Sequence, residues 1–431
     1  MGATENGGSL GLFRNREFLA LASTAFARSQ AYSTILIALA LYADLFSTSG
    51  TVEGLFGTAF AAVQLLIVLP LGRLIDLGNA KRYLLAGLLL NVLVFVGFSL
   101  VSAVEHVVVM RVIQGIGASL LWLTGSAVVG EISPDGERGL WLGTYNQVGA
   151  FSSLAGDVFG GLLLFLYGFQ VTYAVLIVVT TLATVAVFAA LRDNPGGNAD
   201  PEEATGLETL RDLMGRTAVK ALVVFRLSFS VGKMAVIIFL PIYARTAFGI
   251  NPFAIGGILA GGKLTKSLFQ GKVGEYTDRV GSYYLFILAG AVVYAVGTAL
   301  IPLAEFAHLV FPAVTVAAFG GAMTLPPAFF SLFLAYAVLG VADSLRLPAS
   351  MATFVEEGEH FDAVAGAMSL RSIAWKIGQV SGPVAVGYIW DQTSVFGAFW
   401  TAAAFLLVSA GVFAVLFSID PAPEERAVPG D

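Results

Sequence analysis

Residues Pro70 to Leu85 read PLGRLIDLGNAKRYLL. A long apolar run ends at Gly72, an acid stands at Asp76, the basic pair Lys81–Arg82 follows, and a second apolar run begins at once. The stretch is a short charged hairpin between two segments long enough to cross a membrane. Two hundred and two residues later the pattern returns as Gly274-Glu-Tyr-Thr-Asp278-Arg279-Val-Gly281, again between apolar runs. The same signal in two halves points to an all-α integral membrane protein built as a repeat.

Composition agrees. Of 431 residues 57% are hydrophobic and 12% charged, with mean hydropathy +0.84; soluble domains carry roughly 25% charged residues. The 49 glycines and 33 phenylalanines suit helices that pack closely and face lipid. With no cysteine there are no disulfides and no thiolate metal sites. Met1 to Arg16 is polar and Gly-rich, and the apolar run after it is too long for a cleaved leader.

A helix needs about 20 apolar residues to span the hydrocarbon core. Twelve such runs are expected, near 17–45, 52–74, 81–102, 104–129, 140–166, 168–191, 218–245, 252–273, 282–302, 329–352, 364–389 and 396–418. Lys and Arg concentrate in the N-terminus (Arg14, Arg16), the second-to-third hairpin, Arg138, the central linker and the eighth-to-ninth hairpin. The opposite side holds essentially Arg245, so both termini are expected on the cytoplasmic side of the cell membrane. The polar linker at 192–217 separates a six-helix domain at 1–191 from another at 218–418, followed by a tail at 419–431. A second match, Gly156-Asp157-Val-Phe-Gly160-Gly161 with Gly382-Pro383-Val-Ala-Val-Gly387, is offset by 226. The difference between the two offsets localises an insertion, which length places at 303–328. Its apolar, uncharged portion from Leu309 to Met323 is expected to form a short helix lying at the outer interface.

These residues resemble the major facilitator superfamily. Gly72-x-x-x-Asp76 with Lys81–Arg82 is similar to its first-half loop signature, and Gly274-x-x-x-Asp278-Arg279-x-Gly281 to the second-half copy. Arg111-Val-Ile-Gln114-Gly115-Ile-Gly117 resembles the signature of proton-coupled members, and the glycines of the fifth run resemble the antiporter signature. Leu77 stands where a base is usual, Ser282-Tyr283 replaces the basic pair, and Asp157 replaces a proline that Pro383 retains in the eleventh run. The resemblance implies two pseudo-symmetric six-helix domains that alternate about a midplane site. It also implies a secondary transporter of a small organic solute, with proton-coupled efflux as the leading expectation. Organic-anion uptake or exchange is the alternative, and a non-transporting membrane sensor is a reading of another class.

Ionisable groups at membrane depth cost about 2.5 kcal/mol or more, which makes them functional candidates. Cations outnumber acids: Arg28, Arg111, Arg226, Lys233, Lys263, Lys266, Arg346, Arg371 and Lys376 face only Asp157 and Asp343. Arg28 shifted by 202 falls at position 230, on the helical face shared by Arg226 and Lys233. These cations either bind an anion, with Arg346 and Asp343 beside them, or are paired within the protein. Asp343 and Arg346 share a face, and an ion pair from Asp343 to Arg226 is expected. Asp157 and Lys263 are expected to pair as a gate, with Arg111 and Gln114 in coupling. By resemblance Gly72, Asp76, Arg138, Gly274, Asp278 and Arg279 form a cytoplasmic latch, with Asp76 accepting from a helix N-terminus or from Arg138. No Walker sequence, metal-ligand cluster or nucleophile elbow is present, so neither a cofactor nor an enzyme is expected. The expected partners are a small-molecule substrate, lipid and protons, with no nucleic acid, and the chain is expected to be a monomer.

Overall fold

The structure is a computed structural model that describes residues 9–134, 136–195, 207–318, 321–360 and 363–419. The side chains of Leu69, Arg73, Asp76, Leu77, Asp278, Ala365 and residues 207–209 lie outside that description, as does most of the tail. Its helices are α1 (Arg16–Phe46), α2 (Gly50–Leu77), α3 (Ala80–Ser99), α4 (Val104–Ile132), α5 (Arg138–Ala155) and α6 (Gly161–Ala190). The short α7 (Leu207–Leu213) follows in the linker. Then come α8 (Thr217–Phe248), α9 (Pro252–Val280), α10 (Tyr283–Leu300), α11 (Pro327–Glu359), α12 (Val364–Gln392) and α13 (Val395–Ile419). The twelve expected crossings are all there as helix, the seventh to twelfth being α8 to α13. Among the described residues, nine stretches are by themselves long and apolar enough to cross a membrane. One of these, Arg138–Ala190, holds two crossings. The more polar α9 and α12, which carry Lys263, Lys266, Lys272 and Arg371, Lys376, Gln379, are absent from the nine.

The fifth and sixth crossings are divided without a charged loop. Gly168 adopts φ 69°, a conformation costly for any residue with a Cβ, and breaks the helix there. Within the fifth crossing, where a proline was expected, Gly156–Gly160 forms a π turn containing Asp157. An extra residue in the helical ladder bends it as a proline would, and such turns recur at functional sites.

The chain forms two compact units. One comprises Met1–Phe46, Ala59–Pro201 and Asn251–Gly256; the other comprises Ser47–Thr58, Glu202–Ile250 and Gly257–Asp431. In the first, α1 packs on α4, α5 and α6, and α3 packs on α4 and α6. Alanines of α1 (Ala20, Ala22, Ala25, Ala27) line its core with Phe18, Leu121 and Trp141. Small residues let backbones meet. A Cβ at Gly156 would reach the Gln30 backbone, 2.9 Å from its Cα. Thr34 Oγ1 donates to the Gln30 carbonyl at 3.0 Å and to the Gly156 carbonyl at 3.2 Å.

In the second unit α8 packs on α12, α13 and α11, and α10 packs on α11 and α13. Phe225, Phe229, Tyr294 and Phe413 join their rings across these contacts. Asp391, past the apolar run of α12, accepts from Gly50 N at 2.6 Å, Thr51 N at 2.8 Å and Thr51 Oγ1 at 2.6 Å. A carboxylate at a helix N-terminus satisfies donors that the helix leaves open. Burial pushes the Asp391 carboxyl up, but the bonds from Thr51 and Gly50 outweigh it and hold the group below its usual range.

The insertion corrects one expectation. Ile301–Leu309 is a 3-10 helix, but the described residues from Val310 to Met323 form no helix. Val314–Ala318 (β1) pairs antiparallel with Gly321–Leu325 (β2), Val314 opposite Leu325 and Ala318 opposite Gly321. Val314, Thr315, Val316 and Thr324 are β-branched and favour a pleated surface, and Pro312 and Pro326 bound the segment.

Close approach of α1 to the π turn carries a stability consequence. Gly156→Ala is expected to lower the thermal unfolding temperature in detergent, at a cost of about 1–3 kcal/mol. Gly72→Ala, whose Cβ would meet nothing within 4 Å, is expected not to lower it. Equal effects at the two positions would contradict the packing account.

Candidate functional site

The densest cluster of buried charge is in the second unit. Asp343 lies on α11, one helical turn before Arg346, and Arg346 Nη2 donates to Asp343 Oδ1 at 2.8 Å. Lys233 of α8 donates to the other oxygen, Oδ2. One carboxylate thus accepts from two cations on two helices. The expected α8–α11 ion pair exists, but Lys233 makes it instead of Arg226. The two positions are seven residues apart, two turns of one helical face, so the swap keeps the face and changes the depth.

Among the described residues Arg226 makes no salt bridge, although Asp343 acts on it electrostatically. Its guanidinium lies over the Trp375 ring, 4.2 Å from the centroid, and its Nε is buried with no hydrogen-bond partner among the described residues. Arg346 lies 3.7 Å from the centroid of Phe229, and its Nε and Nη1 are likewise without partners. Lys233 faces Tyr294 at 5.6 Å. Aromatic faces attract cations, but they do not replace hydrogen bonds to N–H groups. Arg371 acts electrostatically on Arg226, and Lys266 on both Asp343 and Lys233. Among the described residues the centre therefore holds Arg226, Lys233, Lys266, Arg346 and Arg371 around one carboxylate, Asp343. Ser350 Oγ, one turn beyond Arg346, is a further buried group without a partner.

The first unit contains the other candidates. Arg28 of α1 has a buried Nε with no partner among the described residues, and the buried Tyr145 hydroxyl has none either. Arg111 of α4 is fully buried; its Nη1 donates to Gln114 Oε1 at 2.7 Å, and its guanidinium lies 4.2 Å from the Phe60 centroid and 6.0 Å from that of Tyr32. Asp157 is fully buried in the π turn. Lys263, its expected partner, belongs to the second unit.

Of the expected latch, the Asp76 and Asp278 side chains lie outside the described residues. Arg279 Nη2 donates to Glu275 Oε1 at 2.5 Å within its own helix. Arg138 lies beside Gly130, where an added Cβ would stand 3.1 Å from Nη2. A Cβ at Gly72 or Gly274 would meet nothing within 4 Å.

Several contributors escaped the reading of the sequence. Phe229, Tyr294 and Trp375 wall the cation centre, yet an aromatic in an apolar helix carries no signal of its neighbours. Arg216, at the end of the linker, pairs with the fully buried Glu357 of α11 at 3.1 Å. An acid at the end of an apolar run and a base at the start of another were the available signal.

Helices long enough to cross a membrane, with buried charged side chains inside them, point to a membrane carrier. Comparison with known proteins specifies which. The Major Facilitator Superfamily model matches residues 21–330, and the chain belongs to that family. It is similar to an uncharacterised MFS-type transporter of Methanocaldococcus jannaschii, 21% identical over 295 residues, covering 66% of this chain and 74% of that one. It is also similar to a riboflavin transporter of Clostridioides difficile, 27% identical over 139 residues, covering 32% and 30% respectively. Among solved structures, a peptide transporter POT variant bound to alafosfalin superposes with TM-score 0.75 at 15% identity, covering 96% of each chain. The nucleoside transporter NupG gives TM-score 0.72 at 15% identity, covering 93% of this chain and 98% of that one. At such identities the likeness shows the shared fold. The protein is a transporter, not an enzyme.

The shared carboxylate makes a sharp expectation. Asp343→Asn leaves Lys233 and Arg346 unneutralised and is expected to destabilise the purified protein by about 3–5 kcal/mol, the cost of breaking a buried ion pair. Adding Lys233→Met should restore part of that loss, read as unfolding midpoints in one double-mutant cycle. Additive losses would show that the two residues do not share an ion pair.

Proposed function

We propose that this chain moves a small organic solute bearing a carboxylate or phosphate, by alternating access. The observation that carries the reading is the imbalance in the second unit: among the described residues Arg226 Nε and Arg346 Nε and Nη1 are buried with no acceptor, and Asp343 is the one carboxylate that acts on these cations. Guanidinium groups grip planar or tetrahedral oxyanions with two parallel hydrogen bonds, and such bonds are the stronger kind. Phe229, Tyr294 and Trp375 supply the apolar walls that orient an organic body around those few polar contacts. Arg28 adds, in the first unit, a buried guanidinium whose Nε has no partner among the described residues. Uptake or exchange of an organic anion follows from this assignment. A monomer in the cell membrane with both termini in the cytoplasm is part of the same proposal, on the distribution of Lys and Arg in the loops.

A second reading, proton-coupled efflux, is favoured by α4 and the π turn. The Arg111–Gln114 pair between aromatic rings stands in the segment that resembles the proton-coupled signature. Asp157, a buried carboxylate in a bent helix, is the group assigned to the coupling step.

Reconstituted flux separates the two. Purified protein in liposomes, offered anionic, neutral and cationic compounds with and without a pH gradient, is expected to move the anions. Arg226→Gln should reduce that flux about ten- to a hundredfold, the equivalent of one charge-assisted bond. Flux of neutral or cationic compounds that needs a pH gradient and survives Arg226→Gln would overturn the anion assignment. In that case Asp157→Asn is the arm that must abolish the pH dependence if the carboxylate couples.

A further inference from the structure

The segment made of the 3-10 helix Ile301–Leu309 and the strands β1 and β2 has no part in the reading above, yet it is the least ordinary feature of the fold. No charged residue occurs from Leu309 to Ala342. Successive residues of a strand face opposite sides, so the register gives the hairpin two different faces. Val314, Val316 and Ala318 share one with Gly321, Met323 and Leu325, all apolar. Thr315, Ala317, Ala322 and Thr324 share the other, where the two threonine hydroxyls bond at 3.1 Å. Val314 and Val316 remain about two-fifths exposed, at 38% and 41%. The 3-10 helix continues this apolar surface: Leu303, Phe306, Leu309 and Val310 are exposed, and with Ser331 and Leu334 they line a groove of about 300 Å³. From there the surface runs into exposed Phe333 and Leu334 of α11 and Trp400 of α13. Trp400 Nε1 donates to the Ala299 carbonyl at 3.3 Å, beside Phe396 and Phe306. A Trp–Phe cluster at a helix end marks the level of a membrane interface.

In water such a hairpin would be a liability. It has two open edges, and neither strand carries the charge that keeps edges from pairing. Two strands alone are also marginally stable. In the hydrocarbon core its outer N–H and C=O groups would be unsatisfied, which excludes full immersion. One position meets both constraints: apolar face toward acyl chains, threonine face and outer edges toward water.

We propose that the 301–325 segment is a bilayer-contacting element, in which the Val314, Val316, Met323 and Leu325 face rests on the lipid at the acyl-chain boundary, continuous with the groove and with the lipid-facing surfaces of α11 and α13. The ligand is the bilayer itself, recognised by its apolar depth and not by a headgroup charge.

The absence of native cysteine makes the test direct. Single cysteines at Val314, Thr315, Val316, Met323, Thr324 and Leu325 (for example Val316→Cys and Thr315→Cys) carry a nitroxide, with the full chain in lipid nanodiscs of one copy each. Collision with oxygen, which concentrates in lipid, is compared with collision with a water-soluble nickel chelate. The oxygen-to-chelate ratio is expected to alternate with period two, several-fold higher at 314, 316, 323 and 325 than at 315 and 324. Equal chelate access on both faces would overturn the proposal, as would a ratio that alternates in the opposite sense. Apolar-face labels shielded from both reagents, combined with label-to-label coupling in discs loaded with two copies, would assign the face to a second chain and overturn it as well. Unchanged elution and unfolding temperature of each labelled variant establish that the fold is intact.

Discussion

Asp343 is asked to neutralise more positive charge than one carboxylate can. Removing ions from water costs several kcal/mol each even after relaxation, and attraction offsets that cost only where geometry and hydrogen bonds are complete. Here the bonds to Lys233 and Arg346 are complete on the carboxylate side and incomplete on the cation side. Among the described residues Arg346 keeps two nitrogens unbonded, and Arg226, over the Trp375 ring, keeps its Nε unbonded. A folded protein that carries such a deficit holds it in place by everything around it, and gains from any anion that removes it.

What holds it is close packing. Gly290 of α10 lies against the Arg346 backbone, where an added Cβ would stand 2.7 Å from the Arg346 Cβ and 2.9 Å from the Ala342 carbonyl. Gly378 and Gly382 of α12 meet the α8 backbone at Leu227 and Val231 on either side of Ser230, whose hydroxyl donates to the Trp375 carbonyl at 2.7 Å. That bond fixes the helix bearing the aromatic wall against the helix bearing Arg226 and Lys233. The glycines are therefore part of the electrostatics, because they set how near the charged helices come. In the first unit the same device presses α1 to the π turn that carries Asp157.

The fold was legible because the twelve apolar runs and the repeated hairpin are properties of composition and spacing. The Asp343–Arg346 contact was legible too, since three residues on a helix fix a shared face. The partner across the gap was not. Depth counted from helix ends drifts by a turn or two, enough to exchange Arg226 for Lys233 on the same face. The hairpin was misread because an uncharged apolar stretch reads first as buried or interfacial helix, although Val314-Thr-Val316 and Gly320-Gly321 carried a strand-and-turn signal. The π turn was visible only as a departure, an acid where the family has a proline. Trp375 and Phe229 gave no signal, since which helix an aromatic faces is a tertiary fact.

The central claim is that the second unit carries positive charge in excess and fills the deficit with an anion. Equilibrium titration of the purified protein with sulfate and a short dicarboxylate, at constant ionic strength and against a neutral isostere, tests it most directly. The account predicts saturable binding of the anions, none of the isostere, and weakening of about ten- to a hundredfold in Arg226→Gln. Anions that bind no better than the isostere, or equally well in the wild type and Arg226→Gln, would contradict it.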